Sequence, residues 1–298
     1  MTPARPRRSV LYLPGSNPRA LAKARRLAAD ALILDLEDSV APEQKASARE
    51  QVAAAVREGG FGRREVVVRI NPLQSPWGRD DLAAASAALP DAILLPKVDG
   101  PGAVMQAARE LREAGAPEGV RLWAMMETPL AILNAGSIAA VSADPAARLD
   151  VLVMGLNDLA RETQARLTPG RSAATAWLAL CVAAARAHHV DIVDGVYNDF
   201  ADLEGFRREC EQGRDMGFDG KTLIHPGQIA ACNEIFAPTE AEIDAASAVI
   251  AAFDEPLNRD KGVIQIDGKM VERLHADMAR RTLAIAEGVA ALTAGGDG

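Results

Sequence analysis

The chain has 298 residues, of which 49% are hydrophobic and 25% are charged, and its formal net charge at pH 7 is −8. This length suits a single barrel domain, and the composition is typical of a globular protein. The acidic balance argues against nucleic acid as a partner, because a surface that binds phosphates needs an excess of Lys and Arg.

Short apolar segments recur along the chain, and each ends in polar residues and is followed by a helical pattern. Several are unbroken runs of Val, Ile, Leu and Met, which are typical of parallel strands covered on both faces. The predicted strands are residues 9–13, 31–36, 65–70, 92–95, 121–126, 150–154, 190–193 and 221–224. The predicted helices are residues 18–29, 42–58, 78–88, 101–114, 130–140, 172–188 and 202–215.

Strands that alternate with helices predict an α/β protein with a closed (β/α)₈ barrel, the TIM-barrel fold. The alternative is an open doubly wound sheet, which would carry Gly-x-Gly-x-x-Gly after its first strand if it bound a dinucleotide. Here Pro14-Gly15-Ser16 follows the first strand, which favours the barrel.

The last part of the chain departs from this repeat. A helical pattern at residues 241–253 precedes an alternating segment at 263–271, whose Asp267-Gly268 pair suits a hairpin turn. A further helix is predicted over residues 274–292. We therefore expect a catalytic barrel domain over residues 1–237 and an arm of helices and a hairpin over residues 238–298, which would cover a neighbouring subunit's site.

Cysteines and apolar runs together indicate a cytoplasmic protein. Cys181, Cys210 and Cys232 lie far apart, so they predict neither a disulfide framework nor a zinc site. No N-terminal run resembles a signal peptide, and no apolar stretch approaches the length of a membrane span. We expect a reducing compartment and no membrane association.

The candidate site residues are polar side chains at the carboxyl ends of the predicted strands and in the loops after them, where barrels of this kind form their active sites, together with Lys221 in the eighth strand. They are Asp35, Glu37, Asp38, Arg69, Asn71, Lys97, Glu127, Asn157, Asp158, Asp194, Asn198, Asp199, Lys221 and His225. Many are acidic, and carboxylates gathered at one barrel mouth repel each other unless a cation neutralises them. Carboxylate oxygens completed by water are the ligands that Mg²⁺ prefers.

Glu127 and Asp158 are the strongest candidates for metal ligands, because Glu127 comes directly after one predicted strand and Asp158 lies in the segment that follows the next strand. Each could instead cap a helix or form a surface ion pair. Arg69 lies within an apolar strand, where an unpaired guanidinium is costly, and its planar fork suits a substrate carboxylate. The alternative for Arg69 is a structural ion pair with Glu37 or Asp38.

Six segments spread over nearly the whole chain carry a family resemblance. They are residues 8–16 (RSVLYLPGS), 34–42 (LDLEDSVAP), 69–72 (RINP), 126–128 (MET), 157–159 (NDL) and 217–226 (GFDGKTLIHP). Together they resemble the citrate lyase β-subunit family, within the malyl-CoA lyase group of the HpcH/HpaI aldolase superfamily.

This resemblance implies Mg²⁺ held by Glu127 and Asp158, with Arg69 at the oxo-acid end of the substrate. Substrate binding is accordingly assigned to Arg69, Asn157, Glu127 and Asp158. A coenzyme A site is implied near Tyr12, Lys23, Ile224 and His225. At Asn17 the family often has a basic residue after the Pro-Gly-Ser turn.

The C-terminal segment departs from the family pattern at one acidic residue. Family lyases have an Asp there, which reaches into a neighbouring subunit's site, whereas this chain has Glu272, one methylene longer. With Glu272 and with its residues 123–128 and 194–198, the chain resembles the malyl-CoA thioesterase branch of the family more than the lyases. We assign catalysis to Glu272 together with Arg69 and Asp158.

Three functions follow from the resemblance. The first is Mg²⁺-dependent carbon–carbon cleavage of a β-hydroxy dicarboxylic acyl-CoA of the malyl-CoA type, which gives an oxo acid and an acyl-CoA. The alternative is (3S)-malyl-CoA thioesterase activity in the same site, with Glu272 activating water. The second alternative is a carrier-dependent β subunit of a citrate-lyase-like complex. The expected assembly is a homotrimer or a hexamer.

Overall fold

The computed structural model describes residues 5–266 and 268–294. The chain forms two compact units. One spans Arg7–Phe236, and the other comprises the described residues of Met1–Pro6 and Ala237–Gly298.

The larger unit is a closed parallel barrel whose eight strands, within the described residues, pair in chain order until β8 meets β1. The strands are β1 (Ser9–Pro14), β2 (Ala31–Asp35), β3 (Glu65–Arg69), β4 (Ala92–Leu95), β5 (Arg121–Met126), β6 (Leu149–Met154), β7 (Asp191–Asp194) and β8 (Gly220–Leu223). Each predicted strand is confirmed to within one residue at either end, and so is the (β/α)₈ fold.

Helices connect these strands and form the outer layer. They are α1 (Pro18–Ala24), α2 (Lys45–Glu58), α3 (Gly78–Ala88), α4 (Pro101–Glu113), α5 (Pro129–Leu133), α6 (Ala135–Ala140), α7 (Leu156–Thr163), α8 (Thr175–Ala187), α9 (Leu203–Met216) and α10 (Ile229–Phe236). The single helix predicted over residues 130–140 is wrong, because Asn134 leaves the helical conformation between α5 and α6. The short helices α7 and α10 were not predicted from the sequence.

Side chains alternate along each strand between the barrel interior and the layer of helices. Ile33, Val67 and Met125 belong to the interior cluster, against which Tyr12 also packs. Two residues further along their strands come Asp35, Arg69 and Glu127, so the same alternation turns these three side chains inward at the carboxyl end of the barrel. Asp35 and Arg69 are also direct neighbours across β2 and β3.

The smaller unit contains α11 (Glu240–Asp254), the antiparallel pair β9 (Val263–Ile266) and β10 (Lys269–Glu272), and α12 (Arg273–Ala294). Phe253, Ile264 and Ala276 form its small buried core. The predicted hairpin and the helices on either side of it are confirmed. In the Asp-Gly pair that predicted the turn, Gly268 has the expected positive φ of 77°, while Asp267 lies outside the described residues. None of the described helices is long and apolar enough to cross a membrane.

Candidate active site

A cavity of about 310 Å³ opens where the barrel strands end at their carboxyl side. It is lined by Tyr12, Asp35, Asp38, Ser39, Arg69, Met125, Glu127, Met154, Gly155, Leu156, Asn157, Asp158, Val196, Thr222 and Ile224. The structure therefore brings the predicted metal ligands, Arg69 and Asn157 together with two of the four predicted coenzyme A residues.

The two predicted metal ligands reach the cavity from consecutive strands. Glu127 directly follows β5 and is only 1% exposed. The chain then turns into α5, because Thr128 caps that helix by accepting a hydrogen bond from the backbone N–H of Ala131 at 3.0 Å. Asp158 lies in the first turn of α7, with its side chain 15% exposed.

Gly155 makes room for Glu127 between β6 and α7. A Cβ atom at this position would lie 2.4 Å from the Glu127 Cβ and 2.8 Å from Glu127 Oε2. Any side chain here would collide with the carboxylate, so this glycine is required by close approach rather than by backbone conformation.

Lys97 contacts both carboxylates. Its Nζ lies 2.6 Å from Asp158 Oδ1 and 3.5 Å from Glu127 Oε1. Its backbone N–H also donates to Glu127 Oε1 at 2.8 Å, whereas the buried Glu127 Oε2 has no hydrogen-bond partner among the described residues. The sequence placed Lys97 at the mouth, but it did not reveal this bridge.

The residues present fit a magnesium ion that takes part of its coordination shell from water or substrate. Among residues 5–266 and 268–294, no group of three or more His, Cys, Asp or Glu side chains could hold a metal. The unpartnered Glu127 Oε2 and the Asp158 carboxylate can supply two oxygens, and Mg²⁺ commonly uses one or two carboxylates and keeps several waters.

The ion pairs expected between Arg69 and Glu37 or Asp38 are present, but a third and stronger partner was not predicted from the sequence. The main partner of Arg69 is Asp35, with Nε–Oδ1 and Nη2–Oδ2 distances of 2.6 and 2.7 Å. Glu37 and Asp38 lie near the remaining nitrogen, Nη1, at 2.9 and 3.3 Å. Asp35 takes precedence because it lies opposite Arg69 in the paired strands and points to the same face. No signal in the sequence identifies this partner, because the pairing depends on the register of β2 against β3.

The carboxylates around Arg69 differ in their electrostatics. Burial alone would raise the pKa of Asp35, but the charge and hydrogen bonds of Arg69 hold that pKa below its usual value. Burial raises the pKa of Glu37 to about 8, against the attraction of Arg69 and with added repulsion from Glu127, Asp38 and Asp35. Two carboxyl groups that share one arginine are therefore expected in different protonation states near neutral pH.

Burial also governs the cluster around Lys97. It raises the pKa of Glu127 above the usual value, although the charge and the backbone N–H of Lys97 oppose this shift. For Lys97, burial favours the neutral amine, but Glu127 and Asp158 outweigh it, and the pKa rises. The ammonium form is thus retained beside the two acids.

Three residues expected at the mouth have structural contacts elsewhere. Lys221 Nζ lies 2.9 Å from Asp194 Oδ2 and 2.7 Å from Glu209 Oε1 on α9, and Arg171 closes the cluster. Asp194 and Lys221 are fully buried and join β7 and β8 to the helix layer, because the strand alternation turns them outward. The Asn71 amide likewise donates to the Leu36 carbonyl and to Asp81, away from the cavity lining.

The amides of Asn157 and Asn198 pair reciprocally. The Asn157 Nδ2–Asn198 Oδ1 distance is 3.1 Å, and the reverse bond is 2.8 Å. This pair joins α7, which carries Asp158, to the loop after β7. Asn157 lines the cavity while its amide is engaged in this contact.

The predicted coenzyme A residues are spread over different environments. Tyr12 and Ile224 line the cavity, while the His225 ring stacks on Phe200 at 5.0 Å and accepts a hydrogen bond from the Gly227 N–H. Lys23 is exposed on α1 and is not part of the lining. Glu272 ends β10 in the smaller unit, where its backbone N–H donates to His275 Nδ1 at 2.9 Å.

A closed (β/α)₈ barrel with buried, pKa-shifted acids around a cavity at its carboxyl end defines the class of protein as a barrel enzyme. The chain belongs to the HpcH/HpaI aldolase/citrate lyase family, whose model matches residues 8–226. This confirms the family predicted from the sequence.

Relatives in this family are enzymes. The chain is 52% identical over 291 residues to a (3S)-malyl-CoA thioesterase of Cereibacter sphaeroides, and the match covers 98% of each chain. It is 35% identical over 288 residues to the citrate lyase subunit beta of Escherichia coli, covering 95% of this chain and 94% of that one.

The chain is also similar to solved structures. The chain is similar to the protein CitE of Mycobacterium tuberculosis in complex with magnesium, acetoacetate and coenzyme A, with a TM-score of 0.72 and 28% identity. That match covers 95% of this chain and 98% of CitE. The citrate lyase beta subunit of the same organism, complexed with oxaloacetate and magnesium, matches with a TM-score of 0.65 and 30% identity, covering 80% of this chain and all of that one (100%).

Proposed function

We propose that this chain is a Mg²⁺-dependent thioesterase that hydrolyses a malyl-CoA-type thioester. The observation that carries the proposal is the pair Glu127 and Asp158, which meets Arg69 in one cavity of a chain 52% identical to a (3S)-malyl-CoA thioesterase. The sequence favours carbon–carbon cleavage first and hydrolysis as its alternative. The comparisons favour hydrolysis.

Glu127 and Asp158 would hold the metal, with the free Glu127 Oε2 as one ligand. When bound, Mg²⁺ supplies Lewis-acid polarisation of substrate oxygens. Arg69 would bind the carboxylate of the acyl group through Nη1, the nitrogen that Asp35 does not bind and that Glu37 and Asp38 contact here. Asn157 would also contact the substrate. Because Asp35 holds Arg69 in a buried ion pair, the guanidinium is already oriented before the substrate binds.

Glu272, contributed by a neighbouring copy of the chain, would take a proton from the attacking water. The water oxygen then bonds to the thioester carbonyl carbon, the carbon–sulfur bond breaks, and Glu272 returns its proton to the sulfur, so that coenzyme A leaves as a thiol. The second product is the free hydroxy diacid. Tyr12, Lys23, Ile224 and His225 are the proposed coenzyme A contacts, and the proposed assembly is a homotrimer or a hexamer.

The second candidate is carbon–carbon cleavage, which is favoured by the family description and by 35% identity to a citrate lyase subunit beta. It uses the same metal and arginine contacts. Glu272 would take the hydroxyl proton while the bond between the hydroxyl-bearing carbon and the carbon next to the thioester breaks, which gives an oxo acid and a thioester enolate. Glu272 would then protonate the enolate carbon.

A product assay separates the two reactions. The purified chain is incubated with malyl-CoA and Mg²⁺, and thiol, glyoxylate, acetyl-CoA and malate are quantified. We expect thiol and malate in equal amounts without glyoxylate, and loss of both in Glu127→Gln. Glyoxylate with acetyl-CoA as the main products would overturn hydrolysis in favour of cleavage. If none of these products forms with any divalent metal, both hydrolysis and cleavage of malyl-CoA are contradicted. Reaction of a carrier-bound thioester would then support the carrier-dependent alternative.

A further inference from the structure

Lys97 makes three contacts with the two proposed metal ligands. Its Nζ lies 2.6 Å from Asp158 Oδ1 and 3.5 Å from Glu127 Oε1, and its backbone N–H donates to Glu127 Oε1 at 2.8 Å. A single residue therefore contacts both acids by its side chain and one of them also by its backbone.

The backbone of Lys97 adopts an unusual conformation to make this contact. Its φ is 51°, in the left-handed region that residues other than glycine rarely adopt. In this conformation its N–H binds Glu127 Oε1, which orients the carboxylate so that Oε2 remains buried and without a hydrogen-bond partner among the described residues. The backbone contact thus determines which oxygen stays available to a ligand.

The ammonium group has a separate effect. Glu127 is 1% exposed and Asp158 is 15% exposed at its side chain, so solvent compensates their charges poorly. A divalent cation held by these two residues would neutralise the same carboxylates that the Lys97 ammonium neutralises here. A positive charge and a metal ion within a few ångströms of each other repel, so the ammonium opposes the binding of the ion.

We propose that Lys97 is a positioning residue that competes with the divalent cation. Its ammonium neutralises Glu127 and Asp158 in the metal-free enzyme, withdraws from them when the ion binds, and so weakens metal affinity while stabilising the empty site. This inference rests on the proposed metal site and extends it, because it assigns the control of metal affinity to a residue that is not itself a ligand.

The test compares Lys97→Met, which keeps the unbranched chain without the charge, with Lys97→Arg, which keeps the charge. Neither substitution removes the backbone N–H. Mn²⁺ is the probe, with its affinity measured by titration calorimetry, and metal-free thermal melting is followed in parallel. We expect Lys97→Met to bind Mn²⁺ about tenfold more tightly and yet to melt about 2 to 6 °C lower without metal. Lys97→Arg should stay within about threefold of the wild type in affinity.

Arg161→Met is the matched control. Arg161 Nη2 lies 2.7 Å from the same Asp158 Oδ1, but its side chain is 69% exposed, so its removal should change Mn²⁺ affinity less than about twofold. A general loosening of the site would lower affinity and stability together. Opposite changes in the two measurements therefore identify competition.

Equal or weaker Mn²⁺ binding by Lys97→Met, while the wild type binds Mn²⁺ measurably, would overturn the role of Lys97 and leave the proposed function standing. If the wild type binds neither Mn²⁺ nor Mg²⁺, the proposed metal site and this inference both fail. Lys97→Gln, which is also uncharged, should likewise bind Mn²⁺ more tightly than the wild type. This variant replaces Lys97→Met in the test if Lys97→Met does not fold.

Discussion

Asp35 holds Arg69 by two parallel bonds, Nε–Oδ1 at 2.6 Å and Nη2–Oδ2 at 2.7 Å. The residues are 34 positions apart in the chain but lie opposite each other in β2 and β3. Both are buried, so the pair compensates charges that water cannot reach. The arginine is therefore fixed at the cavity, with Nη1 left to Glu37 and Asp38.

Asp35→Asn should impair the enzyme much more than Asp38→Asn. An amide cannot neutralise Arg69 or accept both bonds of its fork, so we expect kcat/KM to fall about 10- to 100-fold and the melting temperature to drop. Asp38 is 64% exposed and 3.3 Å from the guanidinium, and its amide variant should lose less than about threefold. Steady-state kinetics with malyl-CoA measure both. Equal losses would show that the Asp35 pairing does not position the arginine.

Gly155→Ala should damage the proposed metal site without backbone strain. The added Cβ would come within 2.4 Å of the Glu127 Cβ, so either the carboxylate or the start of α7 must shift. We expect Mn²⁺ affinity to fall about tenfold or more, together with a loss of about 1 to 3 kcal/mol in stability. Calorimetric titration and denaturant unfolding measure the two effects.

Gly136→Ala controls for the substitution itself. Gly136 lies in α6, and a Cβ there would meet nothing within 4 Å. Alanine favours a helix over glycine by about 0.5 to 1 kcal/mol, so this variant should keep its metal affinity and gain slightly in stability. Unchanged Mn²⁺ binding by Gly155→Ala would contradict the required close approach.

Glu37 should make the stability of the metal-free protein depend on pH. The folded-state pKa is about 8 against an ordinary value of 4.5, so the folded chain binds the proton more tightly than the unfolded chain does. The stabilisation from that proton is complete below pH 4.5 and is lost as the pH rises through about 8.

Glu37→Gln removes this titration while keeping the shape of the side chain. We expect the melting temperature of the wild type, relative to that of the variant, to fall by a few degrees (about 2 to 4 °C) between pH 5.5 and 8.5. Thermal melts in the presence of a chelator measure the difference. A constant offset over this range would mean that Glu37 titrates near its ordinary pKa.

Glu272→Gln should abolish turnover but not metal binding. A glutamine cannot accept the proton of the attacking water, so we expect a loss of about a hundredfold or more in kcat with Mn²⁺ affinity unchanged. A parallel loss of metal affinity would show that the substitution disturbs the metal site rather than the proton transfer.

Mixing two inactive variants tests whether Glu272 acts on a neighbouring subunit. Glu272→Gln and Arg69→Lys chains, unfolded and refolded together, should recover activity if one copy supplies the acid and another the arginine. Each variant refolded alone is the control. No recovery in mixed oligomers verified by mass would place both groups in the same chain.

The sequence by itself determined the barrel and the main candidates of its site. Unbroken apolar runs predict the strands, because a strand that is buried on both faces consists of apolar residues, and this pattern is visible within the strand's own sequence. Glu127 and Arg69 could be recognised in the same way, since a charge at the end of such a run lies at the carboxyl edge of the barrel.

Only the tertiary structure decided which side chains meet. Asp35 as the partner of Arg69, Lys97 between the two acids and Gly155 against Glu127 each depend on the register and direction of strands distant in the chain. For the same reason, position in the sequence predicts Asp194 and Lys221 at the mouth, although strand alternation turns both side chains into the helix layer. The sequence predicts where a residue lies along its strand. The partner of a buried charge depends on how distant strands and helices pack against each other in the folded chain.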